Sequence, residues 1–297
     1  MLIPSIISIA IGVIFFIAAV AIAIPTLISR HSYRSFVGTS TAHQVLRDSH
    51  ASWLMDRALR ALAQSCTLEW RRVPGIVTAT LDTEAVTVYL AAPSPQPPLP
   101  WETSSNGLIW RARLADLQVT PVEPTTPNPY PGLFTIGVSD AGRVFADLDQ
   151  AHGLISIGGD EASRREVARR WIEEASGRPW ATGIVLLVGL DASGKKSDAP
   201  GTTLNDAITF VESGAPGLVV VEGEPRPEQT ARLLRALEAV DSRCPVVVVG
   251  ESTDARWRFT AQQNGWITSD FLPSARFTPA AAVLAPVDTT LSATVSA

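Results

Sequence analysis

Four near-continuous apolar runs, at 154–158, 183–188, 217–222 and 245–250, alternate with segments of helical spacing at 161–176, 203–213 and 227–239. A run that is apolar at nearly every position must be buried on both faces. In an alternating pattern this means parallel strands with helices packed above and below. Right-handed crossovers through the helices then give a doubly wound, mostly parallel sheet, so the expected fold class is α/β.

The first run sets the register. Leu154 to Ile157 is apolar with a β-branched bias, Gly158-Gly159 permits a tight turn, and Asp160 suits the N-cap of the helix that follows. That helix has Val167, Ala168, Trp171, Ile172 and Ala175 on its apolar side, whereas Arg165, Glu166 and Arg169 lie toward solvent. A strand that enters a helix through a glycine turn aims the helix amides and dipole at the crevice, which is the physical basis of phosphate binding. Laid on GGDEASRR, the phosphate-loop pattern GxxxxGK(S/T) keeps only Gly158. Ser163 stands at the second glycine, Arg164 at the lysine, and Arg165 at the hydroxyl residue that would hold magnesium. Asp160 and Glu161 bring carboxylates to where phosphate oxygens would approach, so a plain structural turn is expected.

A second glycine-lysine step lies in GLDASGKK, where Gly189, Gly194 and Lys195 have phosphate-loop spacing and Lys196 replaces the hydroxyl residue. Pro200 and Gly201 would break the helix that such a loop must open, so a solvated loop is expected there. Neither a GxSxG elbow nor an HExxH motif is present, and His43 and His50 have no third metal ligand nearby. The pair Glu173-Glu174 reads as solvated surface. No catalytic residue, metal site or cofactor is expected.

The chain from Leu2 to Ser29 carries no charged side chain, longer than the roughly 20 residues a membrane span needs. Without a basic n-region it reads as an uncleaved transmembrane anchor, residues 1–29. Arg30 and Arg34 follow it and no basic side chain precedes it. The positive-inside rule therefore puts the N-terminus outside and the bulk of the chain in the cytoplasm, a single-pass protein of the cell membrane.

Residues 30–118 are expected to form a small α+β unit with a juxtamembrane helix at 43–65, a hairpin at 76–81 and 85–90, and a strand at 107–114. Prolines at 121, 124, 127, 129 and 131 mark a linker over 119–131. The α/β domain follows at 132–275. It opens with a hairpin at 133–138 and 143–148 and closes with another at 256–262 and 265–268. Residues 276–297, small and polar without periodicity, read as a disordered tail.

A net charge of -5 argues against nucleic acid as a partner. Cys66 and Cys244, far apart in a compartment expected to be reducing, read as core residues.

The order strand, glycine turn, helix, strand, helix, strand, helix, strand, with LVVVEG as the third strand, resembles the core of the additional-strand P-loop ATPases. The prelude FTIGVSDAGRVFADLDQAHGLISIGG resembles the entry to the ATPase module of the FtsK and SpoIIIE DNA translocases and the type VII secretion ATPases. That family's third strand ends in an aspartate for magnesium and a glutamate that activates water. Glu222 and Gly223 stand at those positions here, so the resemblance implies a degenerate member.

WLMDRALRAL, Pro100-Trp101, PNPYPGLFTIGVSDAGRVFADLD and PVVVVGE also resemble segments of membrane-anchored actinobacterial proteins that carry this region beside LysM or bacterial transcriptional activator domains. This chain lacks both modules, so neither cell-wall nor DNA binding carries over. The expectation is a membrane-tethered interaction or assembly module with a protein partner, and homo-oligomers are compatible with it. The alternative is a nucleotide-binding ATPase subunit of a DNA-translocation or protein-secretion machine, using Gly158, Gly159, Arg164, Lys195 and Glu222.

Overall fold

The computed structural model describes residues 49–177, 183–191, 194–197, 202–239 and 243–277. The expected anchor and its orientation lie outside these residues, as does the expected tail 276–297 from residue 278 on; its first two residues are ordered, Arg276 in a paired strand and Phe277 buried. Among the described residues no helix is long and apolar enough to cross a membrane.

Among the described residues thirteen strands form one sheet. They are β1 Ile76–Leu81, β2 Ala85–Leu90, β3 Glu102–Ser104, β4 Ile109–Arg113, β5 Leu133–Ser139, β6 Gly142–Asp147, β7 Leu154–Gly159, β8 Ile184–Val188, β9 Gly217–Glu222, β10 Val246–Val249, β11 Trp257–Ala261, β12 Trp266–Ser269 and β13 Ala275–Arg276. Their spatial order is β3-β4-β2-β1-β6-β5-β13-β12-β11-β7-β10-β9-β8.

The expected mostly parallel sheet is corrected here: the sheet is mixed and mostly antiparallel. Parallel pairing is confined to β11-β7-β10-β9-β8. The antiparallel hairpins extend this sheet instead of standing apart, because β6 pairs with β1 through Thr78↔Ala146 to Leu81↔Arg143. As an interior strand, β6 is buried from Arg143 to Asp147. β13 reaches Arg276, opposite Val138 of β5, and joins the two halves through the C-terminal end of the described chain.

Within the parallel part the expected double winding is present. Helix α1 spans Ser49–Leu68, α2 Leu114–Val119, α3 Glu161–Gly177, α4 Leu204–Glu212 and α5 Pro227–Ala239. Trp171 and Ile172 of α3 share a core with Ile155, Ile157, Val247, Val249 and Phe259. On the opposite face, Ile208 and Val211 of α4 and Leu233 of α5 meet Leu154, Val219, Val221 and Val246. Alternate residues of each apolar run serve opposite cores, which explains why the runs show no alternation in sequence.

A third core joins Met55, Leu59 and Leu62 of α1 to Ile76, Leu81, Val86, Val88 and Trp110. The solvent side of α1 is strapped by the Pro-rich run. Arg57 donates to the carbonyls of Gln118 and Thr120, and Arg60 to those of Glu123, Pro124 and Thr126. The Gln64 carboxamide oxygen accepts from the Glu123 amide. Five proline-interrupted carbonyls that cannot form a ladder are satisfied by two guanidinium groups.

Candidate functional site at the glycine turn

Counted from the glycine strand β7, the five parallel strands lie in the order 5-1-4-3-2, with β10 inserted between β7 and β9. This order, with the fourth strand inserted between the first and the third, is compatible with the additional-strand arrangement that the sequence resembles. The register aligns Ile157 of β7, Val249 of β10 and Glu222 of β9 in one row. Each strand then ends in glycine, at Gly158-Gly159, Gly250 and Gly223, and the ends open a crevice where ligands of such sheets bind.

The turn itself is already liganded by the chain. Glu251, just beyond β10, accepts a hydrogen bond from the Gly159 amide at 3.0 Å. A Cβ on Gly158 would collide with that carboxylate, and one on Gly159, at φ +92°, with the Ala261 carbonyl of β11. Close approach by the chain's own atoms therefore accounts for both glycines.

The helix also starts too early to encircle a phosphate. α3 is helical from Glu161, so two of the four residues between the pattern positions 158 and 163, Glu161 and Ala162, are wound into its first turn. Asp160 caps it: its Oδ2 accepts from the Ser163 amide at 3.0 Å and hydroxyl at 2.9 Å, and its Oδ1 from Gln263 at 2.9 Å. The Gln263 carboxamide, then the Ser163 amide and hydroxyl, hold the Asp160 carboxyl below its usual range.

Arg165 and Glu222, the positions that in the resembled family would hold magnesium through a hydroxyl and an aspartate, do meet. They meet as an ion pair: Arg165 donates to Glu222 Oε1 at 2.8 and 3.3 Å and also pairs with Glu161 at 2.8 Å. The Glu222 hydrogen bond raises the guanidinium above its ordinary value. The expectation that Arg165 faces solvent is corrected, since its side chain is 29% exposed and that of Glu222 11%. A guanidinium thus stands on the carboxylate that would otherwise meet a metal.

The other expected residues fall apart. Arg164 turns back toward the Gly159 carbonyl at 3.4 Å, with its Nε buried and unpartnered. Lys195 is exposed in a loop closed by the Asp191 amide donating to the Lys195 carbonyl at 2.8 Å. That loop packs at Gly194 against Arg169, halfway along α3, and its described residues 194–197 are not helical. The next helix, α4, starts at Leu204 behind its own Thr203–Asp206 capping box. Gly158, Gly159 and Arg164 are therefore brought together, Glu222 lies across the crevice, and Lys195 stands elsewhere.

The remaining arginines of α3 are neutralised. Arg169 pairs with Glu166 and Glu173, and Arg170 pairs with Glu166 and lies over the Phe277 ring. Burial pushes Glu166 up, but Arg169 and Arg170 outweigh it and hold the carboxyl low. Glu173 is exposed as expected. Glu174 is half-buried instead, accepting from the amide and hydroxyl of Thr135 at the β5 bulge.

Sequence reasoning missed Glu251 and Gln263. Glu251 is visible only as an acid directly after an apolar strand, and Gln263 sits in a turn expected solely to join two strands.

Beside this site, α3 and the β11–β12 hairpin enclose a groove of about 490 Å³ lined by Asp160, Ser163, Glu166, Gln263, Trp266 and Phe277 among others. Asp160, Ser163 and Gln263 are bonded to one another there, and Glu166 is paired with Arg169 and Arg170. Among the described residues no group of His, Cys, Asp and Glu could hold a metal ion.

No family model and no curated protein matches the chain. Among solved structures it is similar to the pCW3 conjugation coupling protein TcpA, monomer form with ATPgS. The identity is 11%, the coverage 75% of this chain and 94% of that one, and the TM-score 0.33. It is also similar to the cytoplasmic domain of the Thermomonospora curvata type VII secretion ATPase EccC. There the identity is 10%, the coverage 63% of this chain and 35% of that one, and the TM-score 0.35. The residues at the turn do not fit a nucleotide phosphate with its metal, because a carboxylate sits on the turn amide and a guanidinium on the metal-facing glutamate.

Proposed function

We propose that this is a single-pass membrane protein whose cytoplasmic part, a catalytically inactive P-loop-like domain, serves as an interaction and assembly module at the membrane. The observation that carries the inactivity is the Glu251 carboxylate on the Gly159 amide. A phosphate would have to displace this anion and then face Asp160. A metal would have to displace Arg165 from Glu222.

The apolar stretch 2–29, with Arg30 and Arg34 after it, supports an anchor with the N-terminus outside, as does the likeness to membrane-anchored actinobacterial proteins. The acidic balance speaks for a protein partner over nucleic acid. Calorimetric titration of the purified chain with ATP and magnesium tests the reading, and no saturable binding in the micromolar range is expected. Binding that disappears in Arg164→Ala or Lys195→Ala would sink it.

The competing reading, a nucleotide-binding ATPase subunit of a translocation or secretion machine, draws on Arg164. Its Nε is buried without a partner at the mouth of the turn, where a ligand could supply one. The same titration decides between them.

A further inference from the structure

The C-terminal tip of α1 is built in a way that nothing among the described residues explains. The helix ends on an amide-to-carbonyl bond from Arg71 to Cys66 at 2.8 Å, so that Trp70 takes the left-handed position, φ +55°, where glycine or asparagine is usual. A Cβ is strained there, and an indole more so than most side chains. Yet Trp70 is 97% exposed, with Leu68 beside it at 72%. The Arg71 guanidinium, bridged to Glu69 at 2.7 Å, donates to the Gln96 carbonyl at 2.6 Å, which ties the loop carrying Leu99, 82% exposed, to the same turn. Arg72 is exposed and makes no ion pair among the described residues.

We propose that this tip, with Trp70 leading, rests in the interface of the lipid bilayer. The proposal rests on the reading of residues 2–29 as a membrane anchor. Three observations favour lipid over a protein pocket. Trp70 and Leu68 stand almost wholly in solvent, whereas the anchors of protein interfaces sit in relief that excludes water. Tryptophan and leucine next to arginine match the layering of apolar chains below charged headgroups, where indole is enriched. The reach is also sufficient: residues 30–48 can extend roughly 60 Å, and α1 is about 30 Å long, so the far end of α1 can return to the membrane that holds residues 2–29.

The test uses the full chain reconstituted into vesicles. Cys66 and Cys244 are buried, so a single exposed cysteine introduced at Thr67 takes an environment-sensitive dye selectively in the native protein. A second preparation carries the dye at Glu238 of α5. With lipids brominated near the headgroup, the dye at position 67 should be quenched several-fold more than the dye at 238. Adding Trp70→Gly should remove most of that difference while raising the melting temperature, because the backbone strain is relieved. Equal quenching at 67 and 238 in protein that floats with the vesicles overturns the proposal and leaves the anchor standing. So does full quenching that survives Trp70→Gly. Protein that fails to float overturns the anchor and the proposal together.

Discussion

Removing the Arg165 guanidinium should expose how much of the crevice is held by charge. Arg165→Ala leaves Glu222 with a side chain 11% exposed, Oε1 stripped of two hydrogen bonds and Oε2 already buried without a partner. Breaking a fully buried pair costs about 3–5 kcal/mol because the survivor stays charged in a poor solvent. Arg165 is 29% exposed, so water partly replaces it. Its second bridge, to an exposed Glu161, is worth roughly 0–1 kcal/mol. The expected loss is therefore about 2 kcal/mol, which for a domain of this size lowers Tm by about 4–8 °C. Glu222→Gln introduced into Arg165→Ala should restore most of the loss, since a neutral amide no longer needs a cation. Melts followed by near-UV circular dichroism, with and without magnesium, measure all three proteins. A single mutant that melts with wild type, or a double mutant no better than the single, would refute the account of the guanidinium as the resident cation of this site.

Trp171→Ala should cost about 3–5 kcal/mol, because the indole is 1% exposed, packs edge-on to Phe259 at 5.5 Å and donates to the Thr135 carbonyl at 2.9 Å; denaturant titration reads the loss. Glu251→Ala should leave stability within about 1 kcal/mol, as its bond to Gly159 is exposed, but pyrophosphate should then raise the melting temperature of the variant and not of wild type. Asp160 has a depressed carboxyl, so its contribution is present above the ordinary aspartate range and lost as pH falls through the lower folded value; Asp160→Asn should narrow the stability gap between neutral and strongly acidic pH. Burial pushes the Cys66 thiol up to about 11 and that of Cys244 to about 12, so neither should react natively at neutral pH; after mild unfolding in intact cells, labelling by an impermeant reagent would place the chain on the outer side.

What the sequence made legible was whatever a local period records. The runs 154–158, 217–222 and 245–250 became β7, β9 and β10 almost to the residue because a strand buried on both faces has no polar position to blur it. The glycine turn and the face of α3 that carries Trp171 were legible for the same reason. Illegible were the contacts between elements far apart in the chain. That β6 pairs with β1 across the Pro-rich run leaves no mark in either strand's pattern, since GRVFAD reads equally well as the edge of a hairpin. Arg165 reads as a solvated first-turn charge until the end of β9, 57 residues on, places Glu222 against it. Glu251 lies 92 residues from Gly159 and carries no motif; only the register of β10 between β7 and β9 brings its carboxylate over the turn. The sequence GGDEASRR records where the turn departs from the phosphate-loop pattern, but the contacts made there come from distant segments. Here the amide of Gly159 and the carboxylate of Glu222 each face a group of opposite charge, Glu251 and Arg165, so this end of the sheet is stabilised by side chains brought from distant segments.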